Sequence, residues 1–179
     1  MSTPSRYSRL SIHLHWLTLL LIIVVYAMAE LKGFFPKESA TAATMRMLHS
    51  SCGLTILALT LVRLGSRLFQ RAPAITPQPA VWENLAARLM HIALYAMLIT
   101  LPLLAWFGIN SFGGSPKIWG IALPALTGVD KALGSTIFDA HKLIANIGYG
   151  LIALHALAAL KHHYIRRDDT LQRMLPARG

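Results

Sequence analysis

Four stretches of the chain, Ile12 to Leu31, Leu48 to Phe69, Leu85 to Phe107 and Leu143 to His163, are so long and so apolar that water is the wrong solvent for them. Each comes near the roughly 20 residues that a helix rising about 1.5 Å per residue needs to cross a hydrocarbon core. In lipid every backbone N–H and C=O must find its partner within the protein, and the alternating runs of about ten residues typical of a membrane β-barrel are absent. Helices are therefore the expected solution. Composition agrees, since 55% of the 179 residues are hydrophobic and 13% charged, too apolar a balance for a soluble domain of this size. The sequence predicts an all-α integral membrane protein, an antiparallel up-and-down four-helix bundle, with residues 1–179 forming one domain.

Arg6 and Arg9 precede the first apolar run, and Ala27-Met28-Ala29 ends it in the pattern of a signal-peptidase site. A retained helix is the expected alternative, because cleavage would discard His13 and His15. The formal charge of +10 does not point to nucleic acid, since the basic residues flank apolar spans and form no face of a soluble module. Alternating spans place Arg6, Arg9, Arg63, Arg67, Arg71, Arg88, Lys161, Arg166, Arg167, Arg173 and Arg178 on one side, and Lys32, Lys37, Arg46, Lys117, Lys131 and Lys142 on the other. By the positive-inside rule the richer side is cytoplasmic, so both termini of this multi-pass protein are expected there.

The connections read as punctuation. Helix one is expected to end near Gly33 to Pro36, and the proline-rich RAPAITPQPAVW cannot continue a helix. Pro102 lies inside the third span, where neighbouring helices can satisfy the freed carbonyl. The longest connection, about Ile109 to Ile137, contains WGIALPAL, which is expected to lie along the membrane interface with Trp119 as its anchor. The single cysteine, Cys52, excludes an internal disulfide and a thiolate-ligated iron–sulfur cluster. Beside Ser50, Ser51 and Gly53 it reads as a small residue that lets a helix or a flat ligand come close.

Histidines carry the functional signal, because an imidazole inside a membrane span is expensive unless it faces a partner. His141 and His155 stand fourteen residues apart, about 21 Å along a helix and only about 40° out of register. With alternating spans, His49 shares the level of His141 near one face, and His15 shares that of His155 near the other. Two facing imidazoles across a bundle suit a six-coordinate haem, for which histidine is an axial ligand. Zinc fits less well, since a structural ion takes four ligands and a catalytic one three plus water. Asp139, the one carboxylate near a pair, lies two residues from His141 on a different face. Gly53, Gly148 and Gly150 are expected to make room for the macrocycle. His13 points about 160° from His15, and His91 is expected to have no partner at its level and to serve packing or a supporting hydrogen bond. His162 and His163 end the fourth span, where side chains ordinarily reach for the interface.

YSRLSIHLHWL, LKGFFP, MLHSSCG and HKLIANIGYGLIALHALAALKHHYIRRDDTLQRMLP resemble the bacterial di-haem cytochrome b561 family over nearly the whole chain, and most closely its short members of the superoxide oxidase type. The resemblance implies two haem b groups with His15, His49, His141 and His155 as iron ligands. It further implies electron transfer from superoxide outside to ubiquinone near the inner face. Arg9, His13, His162 and His163 are the residues expected at the quinone site, with His162 foremost because seven residues, about two turns, return it toward the face of His155. The cations of the outer side are expected to draw superoxide in, an effect that salt would weaken. Expected partners are membrane lipid, ubiquinone and superoxide, with no nucleic acid and no obligatory protein partner. Two other functions stay open at this stage: a cytochrome b subunit relaying electrons between quinol and a separate dehydrogenase, and a non-redox membrane scaffold whose histidines handle metal or protons.

Overall fold

The computed structural model describes residues 6–70 and 72–176; Arg71 and Arg178, counted above in the charge balance, lie outside them. Four long helices dominate: α1 Arg9–Leu31, α2 Ala40–Leu68, α3 Val81–Ser111 and α4 Lys131–Lys161. All four are long and apolar enough to cross a membrane. Each begins with a device that satisfies an orphan backbone donor. The Ser8 Oγ accepts from the Ser11 N–H at 3.2 Å, the Ser39 Oγ from Ala42 at 3.1 Å, and the Asp130 Oδ1 from Leu133 at 3.0 Å. In α3 the order is reversed, and the Glu83 carboxylate accepts from the Ala80 N–H at 3.1 Å. Side-chain oxygens at these positions are what stops fraying at a helix start.

Packing is sequential. α1 lies against α2, α2 against α3, and α3 against α4, whereas α1 and α2 stand off from α4. The α3–α4 seam is close because glycines form it: a methyl group added at Gly134 would come within 2.8 Å of the Phe112 ring, and one at Gly108 within 3.1 Å of the Phe138 ring. Outward faces carry large apolar residues such as Leu20, Ile23, Leu61, Ile92, Leu143 and Leu157, all more than half exposed. Such a surface suits hydrocarbon and not water.

Two connections depart from the sequence expectation. The long segment after α3 forms a small antiparallel hairpin, β1 Lys117–Ile118 and β2 Ile121–Ala122. Trp119 sits in its turn at φ 50° and is bound to the protein, not simply laid along an interface. Its N–H donates to the Ser51 Oγ at 3.1 Å and its indole Nε1–H to the Thr55 Oγ1 at 3.1 Å. At the other end the chain leaves α4 through a π-helical turn, His162–Arg166, and reverses at Arg167 with φ 56°. The returning segment ties the termini end together: the Tyr7 N–H donates to Arg173 O, the Trp16 Nε1–H to Met174 O at 2.8 Å, and the Asp169 N–H to Thr76 O at 3.2 Å.

Candidate functional site

Two tiers of histidines occupy the space between α4 and the helices that stand off from it. At the end away from the termini, His49 on α2 faces His141 on α4 with ring centres 6.3 Å apart and planes at 63°. Both Nδ1 atoms point away from the partner, His49 toward Val25 O at 2.9 Å and His141 toward Leu101 O at 3.0 Å. A carbonyl only accepts, so each Nδ1 carries the proton and each Nε2 keeps its lone pair. Leu101 immediately precedes the buried Pro102. All four helices thus take part in aiming this pair.

At the termini end His15 on α1 faces His155 on α4, again with ring centres 6.3 Å apart and planes at 73°. Trp16 lies edge-on to His15 at 5.3 Å. The expectation that His91 lacks a partner at its level is corrected here: its ring meets that of His155 at 5.6 Å, because α3 packs directly along α4. Nearby, the guanidinium groups of Arg63 and Arg67 lie 5.9 and 5.8 Å from the Tyr95 ring centre.

The glycines divide. Gly53 and Gly150 have nothing within 4 Å of the place a side chain would occupy. Gly148 makes no such room and so corrects the expectation, since Tyr26 Oη and Met97 Sδ already fill the space beside it. Tyr26 spans the gap between the tiers, donating its hydroxyl to Ala145 O at 2.9 Å and packing on Tyr149 at 4.4 Å.

The four polar residues expected at the termini end do not share one environment. Arg9 and His13 are exposed. His162 Nδ1 meets the buried Asp168 carboxylate at 2.5 Å. Burial pushes the Asp168 carboxyl up, but its bonds to His162 and Thr170 outweigh that and hold it below the usual aspartate range. His163 is half-buried, its Nδ1 has no hydrogen-bond partner among the described residues, and Tyr164 lies edge-on to its ring. None of these residues lines the cavity of about 410 Å³ at this end, which lies between the 72–79 loop, the start of α3, Tyr7 and Arg173, with His91 in its wall. At the opposite end Lys32 directly follows the last residue of α1. There Lys142 is paired with Asp139 at 3.2 Å and Arg46 donates to Lys37 O at 3.0 Å.

No group of three or more His, Cys, Asp or Glu side chains able to hold a metal ion occurs among the described residues. Paired imidazoles at two depths of a helical membrane bundle define a class: membrane proteins that hold cofactors between facing helices. Comparison with known proteins makes the class specific. Residues 6–177 match the family model of prokaryotic cytochrome b561. Among relatives, cytochrome b561 homolog 1 of Escherichia coli is 42% identical, over 97% of this chain and 99% of its own. Probable superoxide oxidase CybB of Yersinia pestis is 38% identical over 96% of both chains, and cytochrome b562 of Cereibacter sphaeroides 30% identical over 99% and 100%. The chain belongs to the prokaryotic cytochrome b561 family. It is a bacterial membrane cytochrome b, an oxidoreductase of electron transport whose family implies haem b.

Proposed function

We propose that the protein is a superoxide oxidase, taking electrons from superoxide at the end away from the termini and delivering them to ubiquinone at the termini end, through two haem b groups. The observation that carries this reading is the pair of 6.3 Å separations. Two imidazoles with facing lone pairs at that separation would hold one metal ion between them, a metal–nitrogen bond being about 2.0 Å. The stand-off of α1 and α2 from α4 supplies a slot for flat groups, and open space beside Gly53 and Gly150 suits it. His49 and His141 would hold one haem, His15 and His155 the other. When bound, each haem would supply a reversible one-electron iron couple.

The chain's own residues do the rest. Val25 and Leu101 carbonyls fix the tautomer and aim of the outer pair, so Nε2 needs no rotation to coordinate. Lys32, at the end of α1, sets a positive charge at the same end of the bundle, where it attracts an anion. Two superoxide ions become two molecules of dioxygen, while one ubiquinone with two protons becomes ubiquinol. The name of the Yersinia relative supports the donor. The charge distribution supports termini on the cytoplasmic side of the inner membrane.

The test is a rapid-mixing absorbance trace of the oxidised, purified protein against a pulse of superoxide. Fast appearance of the reduced-haem band, slowed by added salt and reversed when ubiquinone is included, is the expected result. Haem bands that ignore superoxide but are reduced by quinol would replace this reading with that of a relay subunit for a partner dehydrogenase.

A further inference from the structure

We infer that Arg63 and Arg67 of α2, set around the Tyr95 ring of α3, hold the propionate carboxylates of the haem at the termini end. This inference rests on the proposed function, which assigns that haem to His15 and His155, and it names the counter-ions the chain supplies. Helix geometry places the pair. Arg63 follows His49 by fourteen residues, the same interval that separates His141 from His155, so it lies about 21 Å further along α2 and about 40° out of register. α2 and α4, with one span between them, run in the same direction, and His49 faces His141. Arg63 therefore comes to the level of His155, on the face of α2 that carries His49. Where the pair away from the termini takes an imidazole from α2, the termini-end tier has a guanidinium on α2 and takes its imidazole from α1.

What this guanidinium lacks is an anion. It is half-buried and lies 5.9 Å from the Tyr95 ring centre. Arg67, one turn on, lies 5.8 Å from the same ring and donates to the Tyr95 Oη at 3.4 Å. Tyr95 in turn stands one turn past His91 on α3, and the His91 ring meets that of His155 at 5.6 Å. Like charges one turn apart on a helix repel, and a cation inside a span is costly without a partner. Among the described residues neither arginine meets a carboxylate. The acids of this end are engaged elsewhere: Glu83 with Lys161 and Arg166, Asp168 with His162, and Asp169 with Arg173. The remaining acids, Glu30, Glu38, Asp130 and Asp139, sit at the opposite end of the bundle. The chain thus brings a pair of cations to the termini-end tier and no anion for them, while haem b carries a pair of carboxylates on its rim. A guanidinium offers a carboxylate parallel N–H donors that match its two oxygens. A lipid phosphate carries the same sign of charge, but Arg63 lies on the inner face of the bundle, where a headgroup would have to pass between helices.

The test compares the unchanged protein with Arg63→Gln, Arg63→Lys and the double variant Arg63→Gln with Arg67→Gln. In a spectroelectrochemical titration, the haem to follow is the one whose bands His155→Ala removes. A nearby cation favours the form with one more electron. In Arg63→Gln the ratio of reduced to oxidised haem at a fixed potential should therefore fall about tenfold, a midpoint lower by about 59 mV for a one-electron couple. Arg63→Lys should recover most of that shift, and the other haem should not move. Contact with the carboxylates themselves is read by loading the apoprotein with haem b or with its dimethyl ester, whose propionates carry no charge. The unchanged protein should bind the ester at the termini end about tenfold more weakly than haem b, and the double variant should bind both alike. If the unchanged protein takes up two haems yet binds ester and haem b alike, the assignment is overturned and the proposed function stands, whether or not the variants fold. If it takes up fewer than two haems, the proposed function itself fails. Variants that match the unchanged protein in phosphatidylcholine nanodiscs and differ from it only in phosphatidylglycerol would make the arginines a headgroup site and overturn the assignment as well.

Discussion

A histidine whose Nδ1 is held by a carbonyl has one nitrogen left to offer, and His49 and His141 are both in that state. His15 and His155 have no such anchor among the described residues and are placed by ring contacts with Trp16 and His91. The pair away from the termini is thus the more firmly held, by bonds that reach α1 and α3. Under the proposed assignment, His49→Ala should lose the outer haem and keep the inner, and His155→Ala should do the reverse. A haem-to-protein ratio measured on the pyridine complex should fall from two to about one in each variant, with different absorption bands surviving. Equal loss of both haems from either variant would contradict the pairing.

At the scale of elements, the four spans were legible because lipid leaves a chain few options, but their starts were not, since α2 begins at Ala40 behind its cap Ser39 and α4 at Lys131 behind Asp130, well ahead of Leu48 and Leu143. Facing histidines were legible for the same reason: alternating helices of known rise fix depth. What the sequence hid was lateral. His91 meets His155 because α3 packs along α4, and no periodicity within α3 states its neighbour. Trp119 finds Ser51 and Thr55 across sixty-odd residues, by hydrogen bonds that no local pattern encodes. The C-terminal return was hidden likewise, and it rests on Asp168, buried between His162, Arg166 and Thr170. A carboxyl held below its ordinary 3.8 contributes stability that is present above the unfolded value and lost as pH falls through the folded one. Hydrogen exchange of the Asp169–Leu175 amides, corrected for intrinsic rate, should therefore rise below about pH 4. In Asp168→Asn it should be raised already at neutral pH and lose that acid-dependent step. Exchange that rises identically in both proteins would remove Asp168 as the latch.

Across the whole molecule, charge and chemistry are both polarised along the helix axes. The termini end carries Arg63, Arg67, Arg88, Arg167 and their neighbours, an ion-pair knot in which Lys161 and Arg166 meet the buried Glu83, and the donor-lined cavity. The other end carries fewer cations, Lys32 among them, the Trp119 hairpin, and the carbonyl-aimed histidine pair. The proposed reaction needs this polarity to have one sign in the cell, because an anion formed outside must meet the Lys32 end while protons for the quinone enter at the other. Cysteine labelling can read that sign, since the one native thiol, Cys52, is only 3% exposed and should be silent. Thr41→Cys, after α2 begins at the Lys32 end, should react with an impermeant maleimide added to cells whose outer membrane alone is opened. Arg167→Cys, at the termini end, should react only once the inner membrane is broken. The opposite pattern would turn the molecule over in the membrane, placing the Lys32 end in the cytoplasm and removing periplasmic superoxide as the donor at that pair.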